Sequence, residues 1–267
     1  MKKYVHGYSE RETERLHDQS LILEELLHDG TVYPPGSRIL EAGCGVGAQT
    51  AILSNRNPKS AITSVDISEE SLEIARARAV EEGMANVDFL KGNILHLPFP
   101  EESFDHLFVC SVLEHLDNPS LALARLKRIL KTGGTITVIE GDHGACVWHP
   151  ETPESRKVWE CLVEVQISLG HNPLIGREVH PLLEEAGFRV REVIPRWIYT
   201  DGGSPEKLDA GVNRIIVPMV ATARDQSIAS GLVDEKTWEK GLGDLSRVAA
   251  STEGTFFYTW FKGTAWK

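Results

Sequence analysis

The chain has 267 residues, 41% hydrophobic and 25% charged, a balance typical of soluble globular proteins and large enough for one domain carrying a substantial insertion. Twenty-eight Lys and Arg against 39 Asp and Glu leave a formal charge of −11, which argues against nucleic acid as the main partner, because phosphate recognition needs a concentrated positive surface. The N-terminal MKKYVHGYSERETERL lacks the apolar core of a secretory signal, and no apolar run reaches the length of a membrane span. Four scattered cysteines (Cys44, Cys110, Cys146, Cys161) with no CxxC pair favour free thiols in a reducing, cytoplasmic setting.

In chain order, Leu16, Leu21 or Leu23, and Leu26 with Leu27 recur at helical spacing and predict an amphipathic helix over 9–27. Pro34, Pro35 and Gly36 break it. Strands and helices then alternate. Residues 38–42 read as a strand, followed by glycines and a helix through Ser54. A strand over 61–66 leads to a helix over 69–82, capped by Ser68 and closed by Gly83. Further strands are expected at 87–91, 104–110 and 135–140, with a helix over 119–130 and a turn at Gly133 and Gly134.

This alternation implies right-handed βαβ crossovers and a doubly wound, mostly parallel α/β sheet. After Gly141 the pattern loosens. Helices are expected over 153–169 and 177–186, a strand over 188–199 broken at Pro195, and a last strand over 255–262. The strands so placed number seven, in one domain over 1–267. Residues 35–141 form its ligand-binding core, and 201–250, mostly helical around Pro218, form a cap inserted near the C-terminal edge.

The first of these strands ends in RILEAGCGVGAQT, with Glu41 followed by Gly43, Gly45 and Gly47. Glycines at the carboxyl end of a parallel strand let backbone approach a ligand without an intervening Cβ. The following helix offers unpaired N–H groups, and Asp66, at the end of the second strand, suits the two hydroxyls of a ribose. GCGVGA fits both G-x-G-x-G and the degenerate dinucleotide pattern G-x-G-x-x-A, so the local motif leaves the ligand open.

The ordered set ILEAGCGVG, SVDISEESLEIARARA, FLKGNILHLPFPEESFDHLFVCSVLEHL and LKTGGTITVIE resembles the class I S-adenosylmethionine-dependent methyltransferases. The resemblance runs from about Pro35 to Gly141 and continues weakly through LLEEAGF. It implies a methyl-transferring enzyme with S-adenosylmethionine as cofactor and a small-molecule acceptor, acting as a monomer or weak homodimer. By that resemblance Glu41 and Gly43 lie beside the methionine part, with Glu41 near the ammonium, and Gly45 and Gly47 complete the loop. Asp66 holds the ribose, Ile67 packs on the adenine, and Asn93 and Ile94 meet its edge. Many relatives have Asp where this chain has Asn93. Cys110 flanks the methionine moiety by its backbone, with Ser111 and His115 on the loop facing the methyl group. The N-terminal YVHGYSERETERLHDQS resembles the lid of some small-molecule members, in which Tyr8 or Gln19, within residues 1–30, would close over the cofactor.

Two other readings stand beside it. A nicotinamide-dependent oxidoreductase would set Glu41 near a pyrophosphate, where its charge is unfavourable. A non-catalytic S-adenosylmethionine binder would keep the same loop. If the acceptor carries a proton, a general base is needed, and His143, just beyond Gly141, is the first candidate and His115 the second. Asp142, His143 and His149 are too irregularly spaced for a metal site, so no metal is expected. Trp148, Trp159, Trp197, Tyr199 and Trp238 would either wall an aromatic acceptor pocket or fill core.

Overall fold

A computed structural model of the protein describes residues 10–267. The chain runs α1 (Glu10–His28), β1 (Arg38–Ala42), α2 (Ala48–Arg56), β2 (Ala61–Asp66), α3 (Glu69–Glu81), β3 (Val87–Lys91) and β4 (Phe104–Cys110). It continues through α4 (Pro119–Ile129), β5 (Leu130–His149), α5 (Pro153–Ser168), α6 (Val179–Glu185) and β6 (Arg189–Asp201). Four helices follow, α7 (Pro205–Asp209), α8 (Val217–Ala221), α9 (Arg224–Ala229) and α10 (Glu235–Arg247), before β7 (Thr255–Trp266).

The strands form one seven-stranded sheet in the order β3-β2-β1-β4-β5-β7-β6. β1 to β5 pair in parallel and β7 is antiparallel, the expected doubly wound α/β fold. Its inner strands are apolar because helices cover both faces: Ile39, Leu40, Leu107, Phe108 and Val109 are fully buried. α4 supplies part of that cover. Asn118 caps its start by accepting the Leu121 N–H, and Ala122, Leu123, Leu126 and Ile129, at helical spacing, are buried.

The residues gather into two compact units. A sheet unit comprises Leu23–Gly141, Ile175–Arg196 and Trp260–Lys267, and a helical unit comprises Asp142–Leu174, Trp197–Thr259 and α1 as far as Ile22. In the helical unit α5 and α10 approach closely at Gly241, where a Cβ would strike the Glu154 carbonyl and sit 2.8 Å from Val158 Cγ1. Trp238, from α10, is fully buried there.

Several expected boundaries are corrected. The turn at Gly133 and Gly134 is an irregularity inside β5: Phe104 pairs with Leu130 but His106 with Thr135, so the extra residues bulge out without ending the strand. Gly134 is required there, since a Cβ would lie 2.7 Å from the Asp105 carbonyl oxygen. β5 also runs on past the expected end at Glu140 to His149, so His143 lies within the strand. Pro195 does not break β6, because β6 is at the sheet edge and a missing N–H there removes no inner ladder bond. β7 extends beyond Lys262 to Trp266, whose ring lies under the Arg189 guanidinium at 4.7 Å. Around Pro218 a π-helical turn (Ala210–Ile216) precedes α8, which takes the proline in its first turn. Among the described residues no helix is long and apolar enough to cross a membrane.

Candidate functional site

β1 lies between β2 and β4, the place where the strand order reverses. Crossovers leave β1 and β4 in opposite directions there and open a crevice at the strands' carboxyl ends. Gly43, Gly45 and Gly47 line the exit of β1, all in the left-handed region at φ 82°, 51° and 79°. Their reasons for lacking a side chain differ. A Cβ on Gly43 would collide with the Val112 side chain, and one on Gly47 would lie 3.0 Å from Ala75 Cβ. A Cβ on Gly45 would meet nothing within 4 Å. Packing therefore demands the outer two glycines, whereas the middle one leaves open space beside the backbone. Gly47 begins α2 without any side-chain cap, so the first amides of that helix have no protein side chain to satisfy them.

Two acids flank the loop. Glu41 is buried, and one carboxylate oxygen, Oε2, accepts from both Thr50 Oγ1 and Ser64 Oγ at 2.6 Å. Burial pushes its carboxyl up to about 7 against those two hydroxyl bonds, with the nearby Asp66 charge adding to the rise. Asp66 accepts the Gly45 N–H on Oδ2 at 2.8 Å and the Ser68 N–H on Oδ1 at 2.9 Å. Each oxygen keeps a second lone pair for a ligand hydroxyl. Ile67, next in the chain, is 43% exposed and presents apolar surface at the same strand end.

Asn93 uses its side-chain oxygen to accept the Leu95 N–H at 2.9 Å, capping the 3₁₀ turn Ile94–His96. That oxygen already has a donor, so the amide nitrogen is the group better able to face a ligand. Cys110 ends β4 with its thiol pushed up by burial. Ser111 follows at φ 55°, a strained conformation for a residue with a side chain. His115 closes the next 3₁₀ turn, its Nε2 3.3 Å from Glu114 Oε1.

All these residues belong to the sheet unit. Gln19, on α1, and His143 belong to the helical unit, and Tyr8 lies outside the described residues. His143 is 6% exposed; its Nδ1 is 2.7 Å from the Tyr258 hydroxyl, and its backbone carbonyl accepts the Trp159 indole N–H at 3.1 Å. Trp148 and Trp159 pack edge to face beside it. These two and Trp238 are buried core, whereas Trp197 and Tyr199 are 55% and 52% exposed. Among the described residues no three His, Cys, Asp or Glu side chains gather as a metal set.

Two residues of the sheet unit escaped the sequence reading. Glu140, fully buried at the end of the apolar run TITVIE, accepts the Val112 and Leu113 N–H groups at 2.9 Å each. An acid closing an apolar strand was the signal for it. Gln49, in the first turn of α2, bonds through Oε1 to His28 Nε2 at 2.6 Å. Burial holds the His28 imidazole down at about 4, so the ring is neutral and donates to Gln49. No sequence signal pairs those two.

The donor set fits S-adenosylmethionine. The ligand-facing loop from Glu41 to Gln49 has no Lys or Arg, and its two acids suit a cationic amino acid and a ribose better than a pyrophosphate. The family model described as a methyltransferase domain matches residues 40–138. With the fold and the glycine loop, this identifies residues 40–138 as a methyltransferase domain of the S-adenosylmethionine-dependent kind.

Over 240 residues the chain is 28% identical to an uncharacterised methyltransferase of Schizosaccharomyces pombe, covering 83% of this chain and 84% of that one. A demethylmenaquinone methyltransferase of Lactococcus lactis is 38% identical over 109 residues, but the match covers 40% of this chain and only 43% of that enzyme. Among solved structures, an S-adenosylmethionine-dependent methyltransferase from Aquifex aeolicus superposes with a TM-score of 0.54 at 24% identity, covering 70% of this chain and 93% of that one.

Proposed function

We propose that the protein methylates a small-molecule acceptor, with the cofactor seated on the glycine loop of the sheet unit. The observation that carries this is the loop itself: open space at Gly45, whose N–H is held by Asp66, a buried carboxyl at Glu41, and no Lys or Arg within residues 41–49. Glu41 would attract the amino group, Asp66 would take the ribose hydroxyls, and Ile67 and Ile94 would face the adenine, with the Asn93 amide at its edge. Cys110 and Ser111 would border the methionine part through their backbone. Gln19 is assigned to the lid.

The bound cofactor supplies a methyl group activated by positive sulfur. What remains for the protein is alignment and exclusion of water, which provide most of the rate in such a displacement. If the acceptor must lose a proton, His143 is assigned as the base, oriented by the Tyr258 hydroxyl bond on its Nδ1. His115, beside Glu114, is the second candidate. The relative named as a demethylmenaquinone methyltransferase supports a small-molecule acceptor. Its match covers less than half of either chain, and specificity would lie in the residues outside 40–138. Four free cysteines, three of them buried, accord with a reducing compartment.

Calorimetric titration with S-adenosylmethionine, S-adenosylhomocysteine and NAD tests the reading. Binding of the first two without the third is expected and would be followed by a screen of methyl acceptors. Binding of NAD alone would overturn it.

A further inference from the structure

A fully buried acid is costly unless its position matters, because desolvation of the charge is not repaid by a single set of hydrogen bonds. Glu140 is such an acid. Its Oε1 accepts two backbone N–H groups, from Val112 and Leu113, while Oε2 is buried without a hydrogen-bond partner. Burial raises the carboxyl to about 8, with the Glu114 charge adding to the rise, so at neutral pH the group is a neutral acid.

The two amides that Glu140 holds stand at a sensitive point. Ser111, immediately before them, is strained at φ 55°, and strain of this kind persists only when the surroundings fix it. The Val112 side chain fills the space that Gly43 leaves empty, so tightly that a Cβ on Gly43 would collide with it. Gly43 in turn opens the loop that ends at α2. The physical sequence is continuous: carboxyl of β5, amides of the loop after β4, side chain of Val112, glycine loop of β1. All four lie within the sheet unit.

We propose that Glu140 is a positioning residue for the cofactor site: by holding the Val112 and Leu113 amides it keeps Val112 wedged against Gly43 and so sets the glycine loop. This rests on the proposed cofactor reading and adds to it a residue that touches neither cofactor nor acceptor. Glutamine is the conservative replacement, because its carbonyl oxygen can accept both amides and it matches the neutral acid in shape and charge. Alanine removes the acceptor and leaves two buried donors unsatisfied.

The test is calorimetric affinity for S-adenosylhomocysteine, with amide hydrogen exchange at Val112 and Leu113, in the full chain. Glu140→Ala should lose affinity about tenfold or more and exchange both amides faster, while Glu140→Gln stays within about threefold of the parent protein. A merely structural acid would lower the unfolding midpoint in both variants and leave the affinity of the folded fraction untouched. Wild-type affinity in Glu140→Ala, or a loss in Glu140→Gln equal to that in Glu140→Ala, overturns the proposal.

Should Glu140→Ala fail to fold, Val112→Ala removes the wedge alone. It should cost about tenfold in affinity, and unchanged affinity would overturn the proposal equally. If the parent protein binds no S-adenosylhomocysteine, the cofactor reading fails by itself. Exchange at the two amides then decides whether Glu140 holds the loop: protection unchanged in Val112→Ala and in Glu140→Gln supports the anchor, and fast exchange in the parent protein removes it.

Discussion

In the sheet unit the buried acids brace the elements around the crevice: Glu41 takes hydroxyls from α2 and β2, and Glu140 takes the amides that follow β4. In the helical unit the buried polar groups bond inward, His143 to Tyr258, Trp148 to Ser155, and the Trp159 indole to the His143 carbonyl. The first pattern leaves two buried carboxyls raised toward or above neutrality, one near the end of β1 and one within β5. The second uses its polar groups to tie β5 to α5 and to β7. Such a contrast separates a surface prepared for a charged ligand from a core prepared for itself. It predicts that substitutions in the sheet unit act mainly on cofactor affinity, and those in the helical unit on stability and turnover.

The largest effect should come from Asp66→Ala. Two charge-assisted hydrogen bonds to ribose hydroxyls contribute together about 3 kcal/mol, roughly a hundredfold in affinity. Calorimetry with S-adenosylhomocysteine checks it, and wild-type affinity with an intact fold would remove the ribose from Asp66.

Glu41 gives an effect of similar size whose sign reverses between stability and binding. Its carboxyl lies at about 7 in the folded protein against 4.5 ordinarily. The folded value is the higher one, so the contribution to stability is fully present below pH 4.5 and is lost as pH rises through 7. The whole loss amounts to about 3 kcal/mol. Cofactor affinity should move the other way, rising as the carboxyl ionises and attracts the ammonium. Glu41→Gln should flatten both slopes. Denaturant unfolding and calorimetry at pH 5, 6, 7 and 8 give the two curves, and parallel slopes in parent and variant would detach Glu41 from the site.

How much of this was legible follows from sequence distance. β1, the glycine loop, α2 and Asp66 form one strand-turn-helix-strand stretch, so periodicity and glycine spacing suffice to place them. The inner strands betray themselves as apolar runs because both their faces are covered. The full length of β5 was not legible, because Gly133 and Gly134 read locally as a turn and only pairing with β4 makes them a bulge. His143 reads as a loop residue for the same reason: nothing near it in sequence says that β5 continues past Gly141. Its partner Tyr258 is 115 residues away, and Glu140 reaches the Val112 amide across 28. Long-range polar contacts of this kind have no spacing rule.

The glycines offer a subtler separation within the loop. Gly43→Ala introduces a Cβ into Val112 at φ 82°, so stability should fall by about 2 kcal/mol or more, from αL strain plus overpacking. Gly45→Ala meets open space at φ 51°, so its stability cost is limited to αL strain of about 1 kcal/mol. The methyl group would occupy the space assigned to the ligand, and affinity should drop about tenfold. Denaturant midpoints and calorimetry measured together distinguish the two, and a Gly45→Ala variant with full affinity would show that the cofactor does not approach there.

The smallest expected effect tests the helical unit. Tyr258→Phe removes the hydroxyl at 2.7 Å from His143 Nδ1 without changing shape, for a stability cost of about 1 kcal/mol. Affinity for S-adenosylhomocysteine should not change, because both residues belong to the other unit and are assigned no cofactor contact. Turnover is the informative quantity. A base held in orientation by Tyr258 loses rate when that bond goes, and the acidic limb of its pH–rate profile moves, whereas a histidine that only packs against Trp159 loses neither. Equal turnover and an unmoved profile in Tyr258→Phe and in His143→Ala would leave alignment as the whole of catalysis. That outcome would point to an acceptor atom that already carries a free lone pair at neutral pH, because such an atom attacks the methyl group without first surrendering a proton.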